Sequence, residues 1–89
     1  MLDTFFHRIR DIPVQLRNQA DQSALEEVRR IAHTLKGSAP YVGAMTLSRH
    51  AAALEKATEA GTPGWQAAAH ELADGVERLS KNIADYLKR

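Results

Sequence analysis

Apolar residues recur at spacings of three and four residues along almost the whole of this 89-residue chain. Such spacing puts them on one face of an α-helix, whereas a half-buried strand shows strict alternation. Segments rich in proline, glycine or polar residues divide the pattern into four stretches. Because the connections are short, neighbouring helices should run antiparallel. The sequence therefore predicts an all-α, up-down-up-down four-helix bundle, forming one domain over residues 1–89.

The first stretch contains Pro13 in its interior. Proline lacks a backbone donor and clashes with the preceding turn of a helix, so we expect a first helix kinked near Ile12 or two short helices in succession. The polar segment 18–22 that follows is typical of a turn. The apolar face of this stretch comprises Leu2, Phe5, Phe6, Ile9, Ile12 and Leu16.

Helix-boundary signals divide the rest of the chain. Ser23 followed by Glu26 fits a capping box, which predicts the start of the second helix. Pro40 and Gly43 bracket its expected end. At 61–64 we expect Gly61 in the left-handed conformation after the third helix, with Thr62 and Pro63 as N-cap and first residue of the fourth.

The last three stretches each carry one apolar stripe, which we expect to be buried. A helical wheel at 100° per residue puts His33 about 130° from the centre of the second stripe, so this histidine should face water. The stripes comprise Leu25, Val28, Ile31 or Ala32, Leu35 and Ala39; then Leu47, Ala51, Leu54 and Thr58; then Trp65, Ala69, Leu72, Val76, Leu79, Ile83 and Tyr86 or Leu87.

The surroundings of His33 have three notable properties. Gly37 lies one turn later on the exposed face, where a glycine costs about 0.5–1 kcal/mol of helix stability and leaves room for a bulky partner. Arg29 and Lys36 flank the histidine and would favour an anion. Neutral imidazole is a good nucleophile near neutral pH. Together these properties describe a phosphorylatable histidine, although an ordinary surface histidine beside two basic residues fits the spacing as well.

The string 32–39 (AHTLKGSA), followed by Gly43, Ala44, Leu47, Leu54 and Glu55, resembles the histidine-containing phosphotransfer (HPt) domains of two-component phosphorelays. The resemblance implies a four-helix bundle and a phosphocarrier function, with phosphoryl transfer from a receiver-domain aspartate to this chain and on to a response regulator aspartate. It covers the chain from His33 to Glu55, and its motif residues occur in order.

The resemblance also implies roles for individual residues. His33 matches the phosphoacceptor, whose Nε2 is the nucleophile. Lys36 matches a basic residue that stabilises the phosphoryl group, and Gly37 the small residue that gives the partner access. Glu55 occupies a position where the family often has an acceptor for Nδ1–H, which would orient the imidazole. The resemblance assigns no role to Arg29.

Partners and cofactors follow from the same resemblance. We expect receiver domains of a hybrid histidine kinase or a response regulator as partners, with Mg²⁺ on the receiver and no cofactor on this chain. No P-loop or dinucleotide fingerprint is present, so the chain should not phosphorylate itself from ATP. We expect a cytoplasmic monomer. Whether the domain is free-standing is left open; the early start of its first helix favours a segment of a larger hybrid sensor kinase.

Other functions have weaker support in the sequence. The net charge of +1 and the absence of a basic run argue against nucleic acid, and no apolar stretch is long enough to span a membrane. A metal site on His7, His33, His50 and His70 lacks the Glu-x-x-His pairs of di-metal bundles, so we predict none. A structural bundle that docks receivers without taking phosphate remains the alternative, against which the intact His33, Lys36 and Gly37 argue.

Overall fold

A computed structural model describes residues 6–7, 9–42 and 44–88 of the chain. In these ranges there are four α-helices of five residues or more and no strand: α1 spans Ile12–Asp21, α2 Leu25–Ser38, α3 Met45–Ala60 and α4 Trp65–Lys88. A short 3-10 helix, Ala39–Val42, joins α2 to α3. Each helix packs against the next and α1 also packs against α4, which closes the bundle. The predicted all-α four-helix bundle is confirmed.

The interruption predicted at Pro13 is present as two helical segments in succession. Phe6, His7 and Ile9 are helical, the chain then turns, and α1 begins at Ile12 with Pro13 in its first turn. Proline is tolerated there because the first turn of a helix needs no intrahelical N–H donor. Arg10 N–H still donates to the carbonyl of Phe6 over 3.1 Å. Leu2 and Phe5, which the sequence assigned to this face, lie outside the described residues.

Two predictions around the start of α2 were wrong. Of the polar segment 18–22 only Gln22 lies in a turn, because α1 continues to Asp21. Ser23 does not cap α2: the N-cap is Ala24, which has no side-chain hydrogen bond. The reason is that Ser23 adopts a left-handed backbone conformation, with φ of 56°, in the turn that ends α1. The carboxylate of Glu26 is therefore free to pair elsewhere.

The other boundaries were predicted with mixed success. Gly61 follows α3 in the left-handed conformation, with φ of 64°, as expected. The fourth helix begins at Trp65, so Thr62 and Pro63 are not its N-cap and first residue. Gly64 has φ of 93°, which is incompatible with a helix passing through it, and its carbonyl accepts the first bond, from Ala68 N–H. Pro40 lies beyond the end of α2, and Gly43 is outside the described residues.

The core consists mainly of the predicted stripes. Leu87 and Tyr86, however, are exposed, so the last turn of the fourth stripe was wrongly assigned to the core. The 24 residues of α4 exceed the 16 of α3 by eight, and its last turns therefore run past the end of that neighbour. No helix in the described ranges has the length and apolarity needed to cross a membrane. The buried apolar residues are Ile9, Leu16, Ala20, Val28, Ala32, Leu35, Ala39, Leu47, Ala51, Leu54, Trp65, Ala69, Leu72, Ala73, Val76 and Ile83.

Candidate functional site

His33 lies on the exposed face of α2, and 65% of its side chain is accessible. The opposite face of the same helix is buried through Val28, Ala32 and Leu35. Two of these residues are within two positions of the histidine, so the backbone that carries it is fixed by core packing. The predicted exposure of His33 is confirmed.

Glu55 reaches the imidazole from α3. Its Oε2 lies 2.6 Å from Nδ1 of His33, and only 10% of its side chain is exposed. The α2–α3 interface is the most extensive in the bundle, and Leu54, next to Glu55, is fully buried in the core. The carboxylate is therefore presented to the histidine by a rigid part of the fold.

Lys36 binds the same carboxylate. Its Nζ donates to Oε1 of Glu55 over 2.6 Å, so each oxygen of Glu55 has one partner. The hydrogen bond from Lys36 lowers the pKa of Glu55, the bond from His33 lowers it further, and burial opposes both by raising it. The net pKa is below the ordinary value of 4.5, so Glu55 is ionised at neutral pH.

The ionised state of Glu55 fixes the tautomer of a neutral His33. A carboxylate without a proton can only accept hydrogen bonds, so the ring proton must be on Nδ1 for the 2.6 Å contact to be a hydrogen bond. The lone pair is then on Nε2, on the far side of the ring from Glu55. The arrangement therefore presents an unprotonated nitrogen to the solvent.

Gly37 leaves the approach to this nitrogen open. It lies one turn after His33 on the same exposed face, and within the described residues a Cβ added there would meet no atom within 4 Å outside its own stretch of helix. Packing against residues 6–7, 9–42 and 44–88 does not require the glycine, since none of their side chains occupies the space beside it. The opening that the sequence predicted for a bulky partner is present in the fold.

Two arginines on the preceding turn complete the surroundings of His33. Arg29 donates to Oε2 of Glu26 through Nε and Nη2, over 3.3 and 3.0 Å. Arg30 pairs with Glu27 over 3.5 Å. The pKa of Arg29 is raised, first by its hydrogen bond to Glu26 and then by the charge of that carboxylate, with smaller contributions from Glu59 and Glu55 on α3.

The structure thus brings together His33, Lys36 and Glu55, with Gly37 beside them; the roles assigned to these residues stay predictions. Sequence reasoning missed the Lys36–Glu55 ion pair. The role at the phosphoryl group that the resemblance implies for Lys36 is untested by this contact. It also missed Ser48, whose hydroxyl donates to the carbonyl of Lys36 over 3.0 Å and joins α3 to the last turn of α2. The one sequence signal for the Lys36–Glu55 pair was that His33 and Lys36, three residues apart, occupy neighbouring positions on one helix face.

The other histidines are dispersed over the molecule. His7 stacks at a tilt against Phe6, with ring centroids 5.7 Å apart, and Nε2 of His70 lies 2.9 Å from Asp21. His50 is exposed on α3, although it lies beside the apolar stripe of that helix. Across residues 6–7, 9–42 and 44–88, no three His, Asp or Glu side chains are grouped as metal ligands.

Comparison with known proteins points to one family. The family model of the Hpt domain matches residues 1–82 of the chain, which include every residue of the site described above. No curated protein and no solved structure gives a significant match.

Proposed function

The chain belongs to the Hpt domain family, whose members carry phosphoryl groups in two-component relays, and on this premise we propose that His33 is its phosphoacceptor. One observation carries the proposal: an exposed imidazole is held through Nδ1 by a buried, ionised carboxylate, so that Nε2 is free. The nucleophile needs no pocket of its own, because a partner can approach it over Gly37.

The proposed step transfers one phosphoryl group without any other reactant. The lone pair on Nε2 attacks the phosphorus of an aspartyl phosphate on a receiver domain, and an N–P bond forms. The bond from phosphorus to the aspartate oxygen breaks, and its electron pair leaves with the carboxylate. Glu55 keeps the ring proton on Nδ1 throughout and stabilises the positive charge that develops on the imidazole.

The partners in this proposal are receiver domains of a hybrid histidine kinase or of a response regulator. The receiver contributes the acidic pocket and its Mg²⁺, which balances charge on the phosphoryl group during transfer. This chain contributes a positioned nucleophile and an open approach. It has no part in binding ATP and acts as a carrier between two aspartates.

The test is transfer from a receiver domain that carries a radiolabelled phosphoryl group. The wild-type chain should acquire label that is labile in acid and stable in base, as expected of phosphohistidine, and His33→Ala should acquire none. The matched control is His50→Ala, which removes another exposed helical histidine and should leave the labelling unchanged.

Two results would contradict the proposal. Undiminished label in His33→Ala would show that another residue is the phosphoacceptor. Binding of the receiver without label in the wild-type chain would favour the alternative of a docking bundle that takes no phosphate.

A further inference from the structure

Three cationic side chains lie within one turn of His33, and each already has a carboxylate partner. Lys36 is bound to Glu55 over 2.6 Å, and Arg29 and Arg30 are bound to acidic residues one turn before them on α2. A phosphoryl group on Nε2 would add about two negative charges to this surface. How easily each cation gives up its carboxylate therefore bears on which of them can turn fully towards that group.

Lys36 is the most strongly held of the three. Its partner, Glu55, is only 10% exposed and has one hydrogen-bond partner on each oxygen. If Lys36 moved away, a buried carboxylate would lose its principal charge partner, and breaking such a pair from one side is strongly unfavourable. The loss would also disturb the residue that holds the imidazole. The structure therefore favours a Lys36 that stays on Glu55.

Arg29 is held loosely by comparison. Its partner, Glu26, is 71% exposed and lies on the same helix three residues away. Exposed pairs of this kind contribute little to stability, and water replaces the lost partner when they open. A guanidinium group can also bind two phosphoryl oxygens at once, which an ammonium group cannot match.

Position on the helix separates Arg29 from Arg30. At 100° per residue, Arg29 and Lys36 lie about 40° and 60° to one side of His33, and Arg30 lies about 60° to the other side. The first side faces α3, because Lys36 reaches Glu55 there and the charges of Glu55 and Glu59 act on Arg29. The side chain of Arg30 is 72% exposed, against 37% for Arg29.

Side chains on an α-helix lean towards its N-terminus, so the imidazole of His33 leans towards the turn that contains Arg29. The side chain of Arg29 leans the same way, towards Glu26, and its guanidinium must turn back along the helix to reach the phosphoryl group. We propose that Arg29 binds the phosphoryl group: when Nε2 is phosphorylated, the guanidinium exchanges Glu26 for phosphoryl oxygens, and Lys36 remains on Glu55. The inference deepens the function proposed above and rests on it.

The test phosphorylates the chain with phosphoramidate, a small donor that needs no receiver, and follows the phosphohistidine by ³¹P NMR. A cation at the phosphoryl group favours its dianion, so Arg29→Ala should raise the pH at which this group loses its last proton. The rate at which Arg29→Ala loses its phosphoryl group, by hydrolysis or by transfer, should differ from the wild-type rate by about ten-fold, which corresponds to one charge-assisted hydrogen bond. Arg29→Lys should give values between those of the wild type and Arg29→Ala.

Arg30→Ala is the matched control, because it removes a neighbouring arginine with the same kind of ion pair and should behave as the wild type. Equal ³¹P titrations for Arg29→Ala, Arg30→Ala and the wild type would overturn the proposal. So would a titration that moves in Lys36→Ala and not in Arg29→Ala. Failure of the proposed function appears separately, as label that persists in His33→Ala when a receiver is the donor.

Discussion

The bundle contains two histidine–carboxylate contacts between helices, and they differ in what surrounds the carboxylate. On the α2–α3 side, His33 meets Glu55, which is 10% exposed and also binds Lys36. On the opposite side, between the end of α1 and α4, His70 meets Asp21, which is 68% exposed and has no second partner in the contacts described. The two distances, 2.6 and 2.9 Å, are similar.

The difference lies in how firmly each histidine is oriented. A solvated aspartate can turn away and exchange its partner for water, so the Asp21 contact restrains His70 weakly. Glu55 is enclosed by α2 and α3 and has its two oxygens committed to two donors, so it fixes both the ring and the tautomer of His33. A histidine beside a carboxylate is therefore a candidate reactive residue when the carboxylate is buried and is itself held by a second partner.

The largest effect should come from removing each carboxylate in turn. Glu55→Ala should slow phosphoryl transfer to His33 by about 10- to 100-fold, the range for partners that orient a reactive group. Asp21→Ala should leave transfer unchanged, because that residue is on the other side of the bundle. Single-turnover transfer from a phosphorylated receiver measures both, with circular dichroism to show that helix content is retained. Equal rates in Glu55→Ala and the wild type would end the distinction between the two contacts.

The second effect concerns the open space beside His33. Substitution of Gly37 by Ala and then by Gln should weaken receiver binding in proportion to side-chain size, to about ten-fold for Gln, because the new atoms occupy the partner's approach. The stability of the fold should increase, because replacing a glycine within a helix by alanine gains about 0.5–1 kcal/mol and the new side chain meets no described neighbour. Calorimetric titration with a receiver and thermal unfolding measure the two quantities. Receiver affinity that does not depend on side-chain size would remove the argument for clearance.

Much of the fold follows from the sequence because apolar periodicity reports directly on which helix face is buried. Leu47, Ala51, Leu54 and Thr58 were all placed correctly on the inner face of α3. The errors lie where local signals compete: Ser23 has the residue type of an N-cap, but the turn that ends α1 requires its left-handed conformation. Apolar periodicity also does not show where one helix extends beyond its neighbours. It therefore predicted burial as far as Tyr86 on α4, which is 62% exposed.

The site was predictable in part. Exposure of His33 and the space at Gly37 follow from angles around a single helix. The pairing of Lys36 with Glu55 does not, because it depends on the rotation of α3 against α2, which the pattern of one helix cannot fix. For the same reason, only the resemblance indicated that Glu55 contacts His33.

The smallest effect tests the charge of Glu55 through the pH dependence of stability. Its folded pKa is lowered, mainly by the bond from Lys36, so its carboxylate stabilises the fold above the unfolded pKa and loses that contribution as pH falls through the folded pKa. Glu55→Gln cannot ionise and has no such contribution. The difference in melting temperature between the two proteins should still be present at about pH 5 and should shrink below about pH 4. A difference that vanishes already above pH 5 would mean a raised pKa and a protonated Glu55, which could not hold the proton on Nδ1 in the way that separates this contact from His70–Asp21.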